Sequence, residues 1–321
     1  MADLDPTAQY GRVCSLIVYG VDQSGLDLSE LRIKFAVKRS DTDTPNTADI
    51  RVYNVSQETA LEINTRFNPT EVNPNRGRVI LQAGYEGNFG VIFQGNIKQI
   101  IVGRESATDT FVDIVAGDGD RAYNFAVVNT TLASGSTQTD QAKAAITTMN
   151  DKGVSEGTLG EMPTDKLPRG KVMYGNARNY LRNVAQTTNK TWSIQDEKVT
   201  FVSNTSYLPG ERVVLTSKTG MIGTPQQTNE GVNVKCLLNP LIKLGGQIEI
   251  NNASIADFKI DLTQPNAAIN IPAPKSADGV YYVLVAEHMG DTRGTDWYTS
   301  LVCLYIDPSA NPRNAIPVGY N

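Results

Sequence analysis

The segment GVNVKCLLNPLIKLGGQIEI, Gly231–Ile250, decides how the rest of the chain is read. Val232, Val234 and Cys236 alternate with polar residues, and Ile248 and Ile250 resume the alternation after an Asn-Pro and a Gly-Gly step. A period of two marks strands with one buried face, and the two dipeptides interrupt them. Much earlier, ADIRVYNV (Ala48–Val55) and GRVILQAGY (Gly77–Tyr85) follow the same plan around an insertion. The recurrence predicts one architecture used twice in a single chain.

Working outward, RVCSLIVYG (Arg12–Gly20) and LRIKFAV (Leu31–Val37) read as further strands before Ala48–Val55. Ser56–Arg66 changes period: Ser56 can cap, Glu58 sits in the first turn, and Ala60, Leu61 and Ile63 form an apolar stripe, so a short helix is expected. GVIFQGNIKQIIVGRE and DTFVDIVAG then form a long hairpin with a polar turn. Two helices follow, Asp140–Met149 capped by Thr137 or Thr139, and Asn176–Thr188 with Ala177, Leu181, Val184 and Ala185 on one face. KTWSIQDEKVTFVS completes a small α+β unit with a hairpin that turns at Asp-Glu. Beyond it the chain is β-rich again. After Gly231–Ile250 come a strand at Ala256–Leu262, a proline-rich linker, and the hairpin of Val280–Met289 with Trp297–Ile306. Each half thus reads strand, linker, strand opening at glycine, long hairpin. The linker holds a helix in the first half and only LNPLIKLG in the second.

These patterns predict an α+β, mainly β fold. Residues 1–119 would form a first tube-like β-barrel domain, 120–204 an α+β middle domain, and 205–321 a second barrel. A chain of 321 residues suffices for that many cores. Its net charge of −5 argues against a dedicated nucleic-acid binder. The three cysteines, Cys14, Cys236 and Cys303, are widely spaced among apolar residues and read as buried free thiols. The start, Met-Ala-Asp-Leu-Asp, lacks the charged and apolar regions of a signal peptide, and no apolar run reaches the roughly 18 residues of a membrane span. Synthesis in a cytoplasm, without a membrane anchor, is the expectation.

The search for chemistry returns no site. The single histidine, His288, has no partner at triad or metal spacing and reads as a solvent-facing hairpin residue. Asp118 and Asp120 in GDGD form a candidate carboxylate pair, yet this composition reads as a turn and helix cap. Asp41–Asn46 opens like a calcium loop, but Pro45 interrupts it and Val52 stands where the bidentate Glu belongs. Arg169–Val172 has no upstream glycine at P-loop spacing, and the aromatics do not interleave with Arg or Lys as in single-strand binders. No catalytic, cofactor-binding or metal-binding residue is assigned, no cofactor is expected, and the chain is read as a structural protein and not an enzyme.

Three segments resemble the hub proteins of phage baseplates. Val112–Asp140 is similar to the junction between their first barrel and helical insert, Gly175–Val202 to their middle domain, and Gly220–Ile250 to the entry of their second barrel. The resemblance implies a homotrimer whose six barrels match a six-fold tail tube above and a three-fold spike below. The implied partners are a tail tube protein or tube initiator, a central spike protein and baseplate wedge proteins. Double-stranded DNA would pass transiently, without specific binding, along an acidic channel wall. The implied location is the tail baseplate of a virion. An equivalent hub of a contractile injection or secretion machine, and a carbohydrate-binding β-protein, stay open as alternatives at this point.

Overall fold

The computed structural model describes residues 11–20, 24–70, 77–229, 231–251, 253, 255–256, 275–276 and 279–306. The first section holds β1 (Arg12–Gly20), β2 (Gly25–Asp27), β3 (Arg32–Ser40), β4 (Thr47–Tyr53), α1 (Gln57–Phe67), β5 (Gly77–Tyr85), β6 (Asn88–Arg104) and β7 (Thr110–Gly117). The middle section holds α2 (Asp120–Phe125), β8 (Val127–Leu132), α3 (Gln138–Asn150), β9 (Ser155–Glu156), β10 (Lys171–Asn176), α4 (Ala177–Thr187), β11 (Lys190–Gln195) and β12 (Lys198–Ser203). The last holds β13 (Val213–Leu215), β14 (Met221–Gln227), β15 (Val232–Leu237), β16 (Gln247–Ile250), β17 (Val280–Asp291) and β18 (Trp297–Leu304). The fold is mainly β. The expected strand at Ala256–Leu262 lies, beyond its first residue, outside the described residues.

Local chemistry explains the helices. Ser56 accepts from the Thr59 N–H and starts α1. Thr137, not Thr139, starts α3, through a reciprocal capping box with Asp140 that satisfies two end donors. The β11–β12 hairpin turns at Asp196 and Glu197, both left-handed at φ 51° and 62°, as a two-residue turn matched to strand twist requires. Asp and Glu are unusual there, and the reason is tertiary, as shown below. Helix α2 follows the GDGD turn. It starts at Gly119 (φ 62°), where a Cβ would meet the side chains of Ile194 and Val154 at 2.8 Å.

Among the described residues, thirteen strands form one sheet in which the first and last sections follow the same order. In the first section neighbours run β3-β4-β7-β6-β5-β1, and in the last β14-β15-β18-β17-β16-β13. Both long hairpins carry a bulge at the same place: Lys98 is the extra residue between Ile97 and Gln99, and Leu284 between Val283 and Val285. Counting rungs from the bulges places Arg51 level with Lys235, Phe111 with Tyr298 and Val102 with His288. The sixth strand departs from the pattern. β1 runs antiparallel to β5, whereas β13 runs parallel to β16.

The two sections share a joint. The inner end of β17 pairs with β16, and its outer end, Val285–Asp291, pairs antiparallel with Lys34–Ser40 of β3. Their cores interlock as well. The first core, built on Leu16, Ile33, Phe35, Ile50, Ile63, Leu81 and Ile114, also takes in Leu238 and Trp297 from the last section. The Trp297 indole donates to Gly84 O at 3.2 Å and meets Phe35 edge-on, with ring centres 5.5 Å apart. The middle section has its own core around Leu181, Met149, Trp192 and Phe201.

Candidate functional site: an open sheet face and a half-open strand

Alternation along β3, β4, β7, β15, β17 and β18 sends one set of side chains into the cores and the other onto a continuous open face. That face carries the bases Arg32, Lys34, Lys38, Arg51 and Lys235 and the acids Asp49, Asp113, Glu287 and Asp291. Many are paired across strands: Arg32 with Asp291 at 2.7 Å, Lys38 with Glu287 at 3.6 Å, and Arg51 with Asp113 at 2.7 and 2.8 Å. Arg32 lowers the Asp291 pKa through a side-chain hydrogen bond, against a smaller effect of burial. The acidity of the chain is therefore not concentrated here.

The matched rungs carry matched chemistry. The Arg51 guanidinium lies over the Phe111 ring at 4.1 Å, and the Lys235 ammonium over Tyr298 at 3.5 Å. A shallow groove of about 490 Å³ runs beside Arg51, lined by Lys34, Asp49, Ile101, Asp113 and Met289 among others.

Edges complete the site. β6 pairs with β5 over Asn88–Asn96 and with β7 over Asn96–Arg104. Among the described residues, no strand lies along the β5 side of Ile97–Arg104. There β17 docks β3. Ile101 and Val102, on this half, are 42% and 47% exposed, whereas His288, level with Val102, is 1% exposed. At the far end of the sheet, among the described residues, β14 pairs with β15 as its one strand neighbour, and its outer side carries a bridge from Gln226 to Ala256.

The residues singled out in the sequence do not come together. His288 is corrected from solvent-facing to buried: it sits on the core face of β17, covered by β3, with Nδ1 2.9 Å from Thr299 Oγ1. Burial, helped by Arg39 and Lys243, pushes its pKa down to about 3. Asp118 and Asp120 diverge. Asp120 pairs with Lys98 at 3.0 Å, while buried Asp118 accepts from the N–H groups of Asp196 (2.7 Å) and Glu197 (2.8 Å). This explains the left-handed acidic turn: Asp118 and Arg39, 3.1 Å from Asp196, anchor it in the first section. Desolvation raises the Asp118 pKa to about 7, with Arg39 acting in the opposite direction. The turn and helix start were legible in GDGD, although neither Asp caps α2.

The Asp41–Asn46 loop also ties sections together. Asp41 accepts from Thr191 (2.9 Å), Ser193 (3.3 Å) and the Tyr282 hydroxyl, and Asp43 pairs with Arg182. All three cysteines are free. Burial raises the Cys14 and Cys236 thiols to about 12. Cys14 is only half-buried, less than expected. Among the described residues no cluster of three or more His, Cys, Asp or Glu has the geometry to hold a metal ion. No described helix is long and apolar enough to cross a membrane.

Solved structures share this fold. A tail protein of prophage MuSo2 from Shewanella oneidensis superposes with a TM-score of 0.58 at 6% identity, over 92% of this chain and 97% of that one. A tail protein from Neisseria meningitidis MC58 gives 0.57 at 9%, over 96% and 100%. The E. coli c3393 protein, described as a type VI secretion component similar in structure to phage T4 tail proteins, gives 0.52 at 9%, over 85% and 73%. No curated protein matches by sequence. The family model "Baseplate hub gp41" matches residues 17–257, and the chain belongs to that family. A structural role in a tail baseplate follows from the membership.

Proposed function

We propose that this chain is the trimeric hub of a phage baseplate, adapting a six-fold tail tube to a three-fold spike. Residues 1–119 and 205–321 act as two tube-like barrels and 120–204 as the insert between them. One observation carries the reading: the outer half of β6 stands open where its counterpart, the outer half of β17, docks an edge strand. An unpaired strand edge is a template for association, and a ring removes it. If the last section of each copy meets the open half of the next copy's β6, sections alternate first, last, first, last. Three copies then present six barrels. The open face lines the channel, and its paired charges give passing DNA few free cations to hold.

The tube protein or its initiator would sit above, the spike below and wedge proteins around, in the tail of a virion. No catalytic role is assigned. Native mass spectrometry of the chain with its spike or tube partner tests the reading, since the isolated chain can be monomeric at low concentration. A complex with three copies is expected, and a stable dimer or tetramer overturns the proposal. The likeness to c3393 supports a hub of a secretion machine as the second reading, and capsid and terminase genes beside this one would decide for the virion.

A further inference from the structure

We propose that the middle section is a docked rigid body: it parts from the first section across a polar seam while both cores stay closed, and in parting it releases the end of the β3–β17 joint. The device works within a single copy and does not depend on the ring described above.

The β11–β12 hairpin shows how the seam is built. Trp192, Ile194, Val199 and Phe201, on one face, belong to the middle core. Thr191, Ser193 and Gln195 alternate with them and face the end of β3 and the loop that follows it. Thr191 and Ser193 donate to Asp41. Gln195 Oε1 accepts from Asn46 Nδ2 at 2.9 Å and from Arg39 at 3.2 Å, and its Nε2 donates to Ser40 O at 3.2 Å. The turn is seated in the same way. Asp118 takes the Asp196 and Glu197 N–H groups, Gln94 Nε2 donates to Asp196 O at 2.9 Å, and Arg78 pairs with Glu197. On α4, Arg182 reaches Asp43 at 2.6 Å.

The first and last sections are joined differently, by a strand ladder and by a core that takes in Leu238 and Trp297. Among the described residues, no ladder runs between the middle and first sections, and their cores have no member in common. Apolar contact between the middle section and the barrels gathers at one end, where Val202 clusters with Tyr282 and Ile306 of the last section, against Tyr207 and Leu208. Those two lie in residues 204–212, a connector without helix or strand, and this end is the pivot. Elsewhere, parting returns both members of each polar pair to water. That costs far less than opening an apolar core, or than deleting one partner in a closed seam.

Asp41 gives the motion its consequence. Its carboxylate accepts from Thr191 and Ser193 of the middle section and from the Tyr282 hydroxyl of the last. Its N–H donates to Leu284 O at 2.9 Å, just past the Ser40–Val285 pair that ends the β3–β17 ladder. Docked, the middle section holds Asp41 against β17. Lifted, it opens that last bond to water, so a pull on the middle section is felt at the joint between the barrels.

Residue-resolved hydrogen exchange on the full chain tests the device. Gln195→Ala removes side-chain bonds across the seam and none of the backbone bonds being read. The amides of Asp196, Glu197 and Asp41 should then exchange about fivefold faster or more, and together. Those of Leu181 and Val184 in the middle core, and of Ile50 and Ile114 in the first, should keep their wild-type rates. Arg182→Ala works from another contact: it touches neither Asp196 nor Glu197, yet should quicken both by a smaller factor. If Asp196 and Glu197 alone respond to Gln195→Ala, the turn frays by itself. If Leu181 and Val184 quicken with them, the middle section unfolds instead of parting. Either result, or wild-type rates at the turn in Arg182→Ala, overturns the docked body.

Discussion

The first and last sections are two renderings of one strand order, and they differ where their surroundings differ. Level with Trp297, which seals the first section's core, the first hairpin has half-buried Thr110 at the start of β7. Level with buried His288 it has half-exposed Val102. Level with Asp113, which clamps Arg51 on both faces of its fork, the last section has Ser300, and Lys235 keeps only its aromatic partner. Strand order and bulge persist while side chains change, because the backbone ladder is indifferent to side-chain identity as long as alternation holds. What each position contributes is set by the strand lying next to it.

The comparison breaks most visibly at Trp297. Trp297→Ala should cost about 3–5 kcal/mol in urea unfolding, because it leaves a cavity in the first section's core and frees Gly84 O. Thr110→Ala, at the matching rung, should stay within about 0.5 kcal/mol. Similar losses for both would mean that the cores do not interlock. Next comes Asp118→Asn. An amide can accept from one N–H of the Asp196–Glu197 turn but turns its own donors toward the other, so a loss of about 1–3 kcal/mol is expected, with faster exchange of those two amides.

The two buried titrating groups act in opposite senses. His288 stays neutral when folded down to about pH 3, whereas unfolded it takes a proton near its ordinary 6.5. Its contribution is full above pH 6.5 and is lost as pH falls, by about 2 kcal/mol at pH 5. His288→Val, the residue of the matching rung, should remove that acid loss relative to wild type. Asp118 titrates near 7 when folded and near its ordinary 3.8 when unfolded, so its contribution falls as pH rises from about 4 to 7. Asp118→Asn should therefore steepen the acid loss relative to wild type. Parallel pH curves for wild type and both variants would contradict the burial of these groups. The smallest effect separates the two stacked cations. Arg51→Gln should cost about 0.5–1 kcal/mol by double-mutant cycle with Asp113→Asn, and Lys235→Gln less than about 0.5 kcal/mol.

Much of this was legible because period and capping are local properties. Strict alternation exposed both long hairpins, and Ser56 and Thr137 marked two helix starts within a residue. β8 and β10 were not read as strands, because VVNTTL and KVMYGN leave most side chains exposed on a two-stranded ribbon, with only Val128 and Met173 buried. In MIGTPQQ, the Gly and Pro that form the β14 bulge erase its alternation. The site was harder still. His288 and Asp118 take their roles from partners 11 to 79 residues away in the chain, and no spacing rule encodes those meetings.

The inserted residues Lys98 and Leu284 also bear on how such a chain drifts. Each offsets its strand part-way along, so the inner end stays fitted to its own core while the outer end answers to whatever lies beside it. Substitutions that refit an outer end do not propagate a register slip inward. Selection from a changing neighbour is thereby insulated from selection for folding. Under that separation, scaffolds of this kind can keep a common fold at 6–9% identity while the surfaces they join are rewritten.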